Sequence, residues 1–215
     1  MNKPTGLDFL NSIPNLKDDF QEYKDDLRIT NGIIRNEQLS SFDFKHFEFK
    51  KIVFDNCILD HCLFDLCSFV DVVFTHCDLS NSSFKQAYLE RCEFILCKGI
   101  GMDWSKSNIK HVKFDQSNLH YTFFEYSKFS DVQFNQSNLI ETSFSECILK
   151  NFFAYQSSFV QSNFFKTPLK GIDFSDCEFS HPIVSDQLSE LRGVILNPVQ
   201  ALNLVSLIGI IVKED

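Results

Sequence analysis

A large apolar residue returns at every fifth position from Leu39 to Phe179, and only Gly99 and Ala154 depart from the pattern. The register holds over 29 repeats, and 17 of the 25 phenylalanines lie on it. Two residues before each large one sits a second selected position. From Cys57 onward it is usually small, and all eight cysteines occupy it. Period five suits neither regular structure. Residues five apart point roughly 140° away from each other on a straight helix, and lie on opposite faces of a straight strand. One shared core therefore requires the chain to turn between repeats. Short extended segments joined by turns and wound into a tube meet this condition. The triplet small–any–large then points both selected residues inward.

The size of one turn of the tube is also legible. Ile52, Val72, Val112, Val132 and Ile172 all lie multiples of 20 residues apart in the small position. Phe44, Phe64, Phe84, Trp104, Phe124, Phe144 and Phe164 form an all-aromatic column at the same spacing. Four pentapeptides thus make one square coil, and these two columns are the expected core ladders. About seven coils at roughly 4.8 Å each give a rod near 34 Å long. The exceptions fit the packing. Phe152, large at a small position, offsets Ala154, since volume-conserving exchanges are tolerated best. Met102 and Trp104 crowd together beside Gly99, which leaves space. The expectation over residues 97–104 is local repacking, with a bulge or bent coil as the alternative.

Segments such as SNLIE, SNLHY, CDLSN and CEFSH resemble the repeats of the pentapeptide-repeat family. The resemblance covers about two-thirds of the chain and implies a right-handed quadrilateral β-helix. The closing stretch LRGVILNPVQALNLVSLIGIIV is similar to the tail of Qnr-type and MfpA-type members. What that likeness implies is a C-terminal helix joining two rods end to end. It also implies binding to DNA gyrase and topoisomerase IV by a surface like that of B-DNA. The unbroken register departs from many Qnr proteins in leaving no room for a loop projecting between coils.

Solenoid ends need caps. Residues 1–36 are expected to cap the front, with a helix near 15–27, Asn15 as its N-cap and Leu16, Phe20, Tyr23 and Leu27 on one face. The β-helix is placed at 37–181. Residues 182–215 form the rear cap, with a helix near 198–208 opened by Asn197 and Pro198 and stopped at Gly209. Val199, Leu202, Val205, Leu207 and Ile208 cannot all share one narrow stripe, so part of this helix is expected to seal the last coil and part to form a homodimer. Ile210, Ile211 and Val212 are candidates for a short strand.

Charge and chemistry narrow the function. The net charge of −9 disfavours direct binding to nucleic acid. No basic, apolar leader opens the chain, and its longest apolar run is too short to span a bilayer. A soluble, cytoplasmic protein is expected. His46, His61, His76, His111, His120 and His181 all fall just after a large residue, scattered over several faces, so no metal site is expected among them. The cysteines read as compact buried thiols rather than ligands or disulfides. Neither a phosphate loop nor a catalytic acid–base pair stands out, and no cofactor or enzymatic activity is expected. The repeat region carries 19 acidic and 13 basic residues. Asp55, Asp60, Asp65, Asp71 and Asp78 make an early acidic group, and Asp115, Glu125, Asp131, Glu141 and Glu146 a later one. These ten are the candidate partner-binding residues. Against them stands a basic column of Lys50, Lys110, Lys150 and Lys170. Phe123, Phe153, Tyr155, Val160 and Phe165 sit at outward positions as a candidate apolar patch. The function expected is non-catalytic protein binding, either as a DNA mimic of gyrase and topoisomerase IV or as a general scaffold with another protein partner.

Overall fold

The structure is a computed structural model, and it describes residues 1–8 and 10–211. Eight parallel strands stack in chain order into one sheet. β1 (Asn11–Ser12) is a two-residue start, and α1 (Leu16–Asp26) follows it. Then come β2 (Arg28–Arg35), β3 (Glu48–Asp55), β4 (Ser68–Thr75), β5 (Tyr88–Ile95), β6 (Asn108–Asp115), β7 (Lys128–Asn135) and β8 (Ile148–Tyr155). From β2 onward paired residues lie 20 places apart, as in Phe49 with Phe69 and Val72 with Cys92. The chain is a β-solenoid of about seven coils. Its regular coil-to-coil ladder begins at Arg28, ahead of the boundary expected at residue 37, and Asn11 and Ser12 of β1 pair onto β2 before it.

Why the period is five appears at the corners. From Asn36 to His181 the residue two places after each large one has φ between 45° and 67° wherever it is neither glycine nor Asp176. Gly101 and Gly171 take the same corner at 69° and 79°. A left-handed residue turns an extended chain sharply, so every pentapeptide supplies one side and one corner. Each eight-residue strand bends at such a residue, Lys51 in β3 for example, and spans two sides. The other two sides pair through single bridges, such as Ile58 with Asp78 and Leu63 with Ser83.

Inside, the large residues stack on their equivalents one coil away. Phe54 and Phe74 lie 4.8 Å apart, Phe94 and Phe114 4.9 Å, and Phe84 and Trp104 4.1 Å. All seven members of the aromatic column are fully buried, as are Ile52, Val72, Val112 and Val132, and Ile172 is 8% exposed. Burying one such side chain stabilises by roughly 1.5–3 kcal/mol. The small positions do more than save space. Ser82 donates its hydroxyl to the Leu59 carbonyl at 2.6 Å and accepts the Cys62 amide at 3.0 Å. Ser107, Ser127 and Thr167 repeat the donation to the residue 23 places back. Cys62 and Cys67 make the same donation through sulfur, each at 2.8 Å. These side chains staple coil to coil.

The irregular places repack without a break. A Cβ on Gly99 would stand 2.2 Å from the Met102 terminal carbon, so Met102 occupies the space that Gly99 leaves. Bridges run on through this stretch, Lys98 with Asn118 and Asp103 with Phe123, with no bulge. Phe152 lies 5.2 Å from Phe134, over the column where Ala154 is small.

At the front, Leu16 and Phe20 of α1 are buried on the first coil. Phe20 stands 4.8 Å from Phe42 and 5.0 Å from Phe44. Phe42 and Phe47, large at small positions, both meet the Phe20 ring. Asn15 precedes α1 as expected but does not cap it by its side chain. It sits in the left-handed region at φ 58°, and its carbonyl takes the Asp18 and Asp19 amides. At the back, α2 (Pro198–Leu204) runs into a 3-10 turn, Val205–Ile208, which Gly209 ends at φ 75°. Ile210 and Ile211 form no strand. Val212 lies outside the described residues.

Candidate interaction surface

Four sides and four corners give each outward residue an address. The first side is centred on Asp43, Asp103 and Phe123, and the second on Arg28, Lys128 and Ile148. The third is centred on Val53, Lys113 and Phe153, and the fourth on Ile58, Asp78 and Lys98. The early acidic group does not gather on one face. Asp55, Asp60 and Asp65 take three successive corners of one coil, Asp71 takes the fourth corner, and Asp78 sits on the fourth side. Five-residue spacing sends neighbours in sequence to different sides of the rod. The same rule separates the outward apolar residues. Phe123 is on the first side and Phe153 on the third, so they cannot join in one patch.

Most of the candidate carboxylates are paired, largely across coils. Arg35 lies 3.1 Å from Asp55, Arg91 2.7 Å from Asp71, and Lys98 2.9 Å from Asp78. Lys113 lies 2.7 Å from Asp115 and Lys166 3.6 Å from Glu146. Histidines approach three more: His61 stands 3.0 Å from Asp60, His111 3.8 Å from Asp131, and His120 3.8 Å from Glu141. Asp65 accepts from the Ser83 hydroxyl and the Lys85 amide, and Glu125 from the Ser143 hydroxyl. Bonds from Ser40 and His61 hold the Asp60 carboxyl below the usual range. At Asp78 burial pushes the carboxyl up, but bonds from Ser80 and Lys98 outweigh it and hold it low.

Among the described residues no three His, Cys, Asp or Glu side chains converge on one point. All eight cysteines are free and buried, and burial pushes the Cys62, Cys67 and Cys147 thiols up to about 12. Five of the six histidines sit at left-handed corners, with His120 one residue before such a corner. No described helix is long and apolar enough to cross a membrane.

Residues 67–141 match the profile of the pentapeptide repeat region, and the coil geometry extends the same repeat on both sides. That stretch is a pentapeptide-repeat region. No curated protein sequence matches the chain. Among solved structures it is similar to full-length QnrB1, a plasmid-mediated fluoroquinolone resistance protein, at 21% identity and TM-score 0.51, over 85% of this chain and 95% of QnrB1. A trypsin-treated form of QnrB1 matches at 22% identity and TM-score 0.50, over 86% and 95%. HetL, a pentapeptide repeat protein involved in heterocyst differentiation regulation from the cyanobacterium Nostoc, matches at 11% identity and TM-score 0.41, over 86% and 97%.

The solenoid closes its ends with polar side chains that hydrophobic patterning does not reveal. Gln200 is 5% exposed, and its amide nitrogen donates to the Phe174 and Cys177 carbonyls at 2.9 and 2.6 Å. With Asn197 it forms a capping box, the Asn197 side chain accepting the Gln200 amide at 2.9 Å. Sealing of the last coil thus falls to Gln200, with Leu204 packed beside it. Of the residues expected to dimerise, Val199, Leu202, Leu207 and Ile208 are exposed and Val205 is half-buried. Asp71 is the other surprise. It is 3% exposed, bound twice by Arg91, and receives the Thr5 amide and hydroxyl at 2.9 and 3.1 Å. The N-terminal residues therefore run as a strap along this corner, with Gly6 beside Lys51.

Proposed function

We propose that this protein is a non-catalytic binding rod whose target is a type II topoisomerase, DNA gyrase or topoisomerase IV. The observation that carries the reading is the sideways segregation of charge. The first and fourth sides, the corner between them and the corner between the third and fourth present nine carboxylates outward: Asp43, Asp55, Asp60, Asp78, Asp103, Asp115, Glu141, Asp176 and Glu178. Arg35 and Lys98 are the basic residues on these faces, and Lys85 and Lys113 reach Asp103 and Asp115 from the adjoining corner and side. The corner between the fourth and first sides, from Ser40 to His181, has no lysine or arginine at all. The basic column Lys50, Lys110, Lys150 and Lys170 runs along the corner between the second and third sides. One side of the rod thus suits a positively charged DNA-binding groove, while the cylinder is not uniformly anionic. A duplex of the rod's length carries about 20 phosphates, at one charge per ~1.7 Å. QnrB1's role in fluoroquinolone resistance enters this reading as part of the proposal.

The scaffold reading, with another protein as partner, is favoured by the ion pairs that cross from coil to coil and weaken the outward field. Supercoiling by DNA gyrase, titrated with this protein in the presence and absence of a quinolone, separates the two. Inhibition or protection at micromolar protein is expected. Neither effect at that level leaves the scaffold. We also infer that two copies join through the exposed apolar face of α2 and the turn after it.

A further inference from the structure

The ladder stops one coil before the solenoid does. In each earlier coil the amide at the corner after the third side bonds to the next coil. Asn36, Asn56, His76, Leu96, Gln116 and Gln136 donate in turn to Asp55, Thr75, Ile95, Asp115, Asn135 and Tyr155. Gln156 breaks the series. A second series ends at the same height. Tyr88, Asn108, Lys128 and Ile148 each donate to the coil before, but the next member is Pro168, which has no N–H. Residues 168–174 turn instead toward the rear cap, Leu169 donating to Glu190, Gly171 to Gly193 and Phe174 to Ile195. β8 is consequently the edge of the sheet, with no bridge to the coil above it. Pairing resumes only at Ser157, which accepts the Glu178 amide.

The opening is apolar on one lip and acidic on the other. A cleft of about 220 Å³ lies between Phe152–Tyr155 and Gly171–Asp176. It shares Ser175 and Asp176 with a second cleft of about 530 Å³ around the corner. Ile148, Phe153 and Tyr155 stand 60%, 46% and 48% exposed along the edge. Asp173, Asp176 and Glu178, on the far lip, take part in no ion pair among the described residues, unlike most carboxylates lower on the rod.

We propose that this edge of β8 receives an extended, basic segment of a partner protein as an added strand. Backbone bonds to the unpaired groups of β8 supply affinity. Apolar side chains of the segment meet Phe153 and Tyr155, which stand exposed along the edge. Lysine or arginine side chains meet Asp173, Asp176 and Glu178. The proposal rests on the reading of this chain as a binding rod, and it is independent of which enzyme the acidic side meets. A long exposed edge is otherwise a site of uncontrolled pairing.

The test is amide hydrogen exchange on the full chain with a seven-residue, end-blocked peptide of alternating valine and lysine. Slowing of the Leu149, Asn151, Ala154 and Gln156 amides by at least about tenfold is expected at saturation. The valine–glutamate peptide and a version with a central proline are expected to leave them unchanged. In the Asp173→Asn, Asp176→Asn double variant the protection should largely disappear, with the Ser175 bonds kept by the asparagine oxygen. Absence of protection by the basic peptide overturns the proposal. So does equal protection by the acidic one, or undiminished protection in the double variant. Protection that grows with protein concentration before any peptide is added assigns the edge to a second copy of this chain and overturns it too. A failed supercoiling assay leaves these outcomes unaffected, so the two ideas fail separately.

Discussion

The corner residue is the smallest unit that decides this fold. A left-handed backbone costs a residue with a side chain roughly 1–2 kcal/mol relative to glycine, with asparagine and aspartate penalised less. The chain accepts this at nearly every pentapeptide, using His, Gln, Lys, Tyr and Leu as well as Asn. The stacked core and the coil-to-coil bonds over-determine the conformation. Leu66 and Leu96 are poorly suited to it, at φ 61° and 53° and each 45% exposed. Leu66→Asn should raise stability by about 1 kcal/mol, read as a higher urea midpoint with an unchanged slope. A lower midpoint would show that packing of the leucine outweighs its backbone strain. The period of five announces a turn in each repeat. It does not announce the sign of φ, because only two of these corners are glycine.

At the scale of elements, a coil is held to its neighbour by stacked rings, ladder bonds and a side-chain staple at the small position. The cysteines in FDNCILDHCLFDLCSF share that last role. Cys62 and Cys67 are placed as Ser82 is, and each donates to the carbonyl 23 residues back. Compactness was legible from the repeat, while the donation required the coil-to-coil register. The N-terminal strap is a second element-level device, fixed to Asp71. Burial pushes the Asp71 carboxyl up, but bonds from Arg91 and Thr5 outweigh it and hold it below the ordinary range. A depressed carboxyl stabilises fully above its unfolded value, about 3.9, and loses that contribution as pH falls through the folded value. Asp71→Asn should therefore cost about 2 kcal/mol at pH 7, leaving part-buried Arg91 with Glu90 alone as its charge partner. The gap between the two proteins should close as the pH falls below about 4. Urea titrations at a series of pH values check this, and a gap that stays constant assigns the loss to shape instead of charge.

For the whole molecule, the open question of assembly lies at the rear cap. Val199 is 69%, Leu202 52%, Ile208 60% and Ile211 93% exposed on one short segment. This is the surface that the proposed pairing of two copies would cover. Cutting the segment off would also remove Gln200 and expose the last coil, so point substitutions are the cleaner probe. Leu202→Asp with Ile208→Asp should convert dimers to monomers in sedimentation, with the circular dichroism of the coil unchanged. A double variant that sediments like the parent places the interface elsewhere, and the uncovered edge of β8 is then the next surface to vary.

The repeat in the sequence determined the solenoid, the four-sided coil, the buried columns and the repacking at Gly99 and Ala154. All of these follow from volume and periodicity, and every pentapeptide votes for them. Tertiary structure alone decided which outward residues are neighbours. Asp55, Asp60 and Asp65 look like a group in sequence but point from three corners, while Asp71 and Arg91 stand 20 residues apart and touch. It also decided how the repeat ends. Pro168 turns its segment to the rear cap, Gln200 takes the last carbonyls, and β8 is left uncovered. The physical reason is that core packing repeats with the chain, whereas surface charge and end closure depend on contacts made one coil or more away.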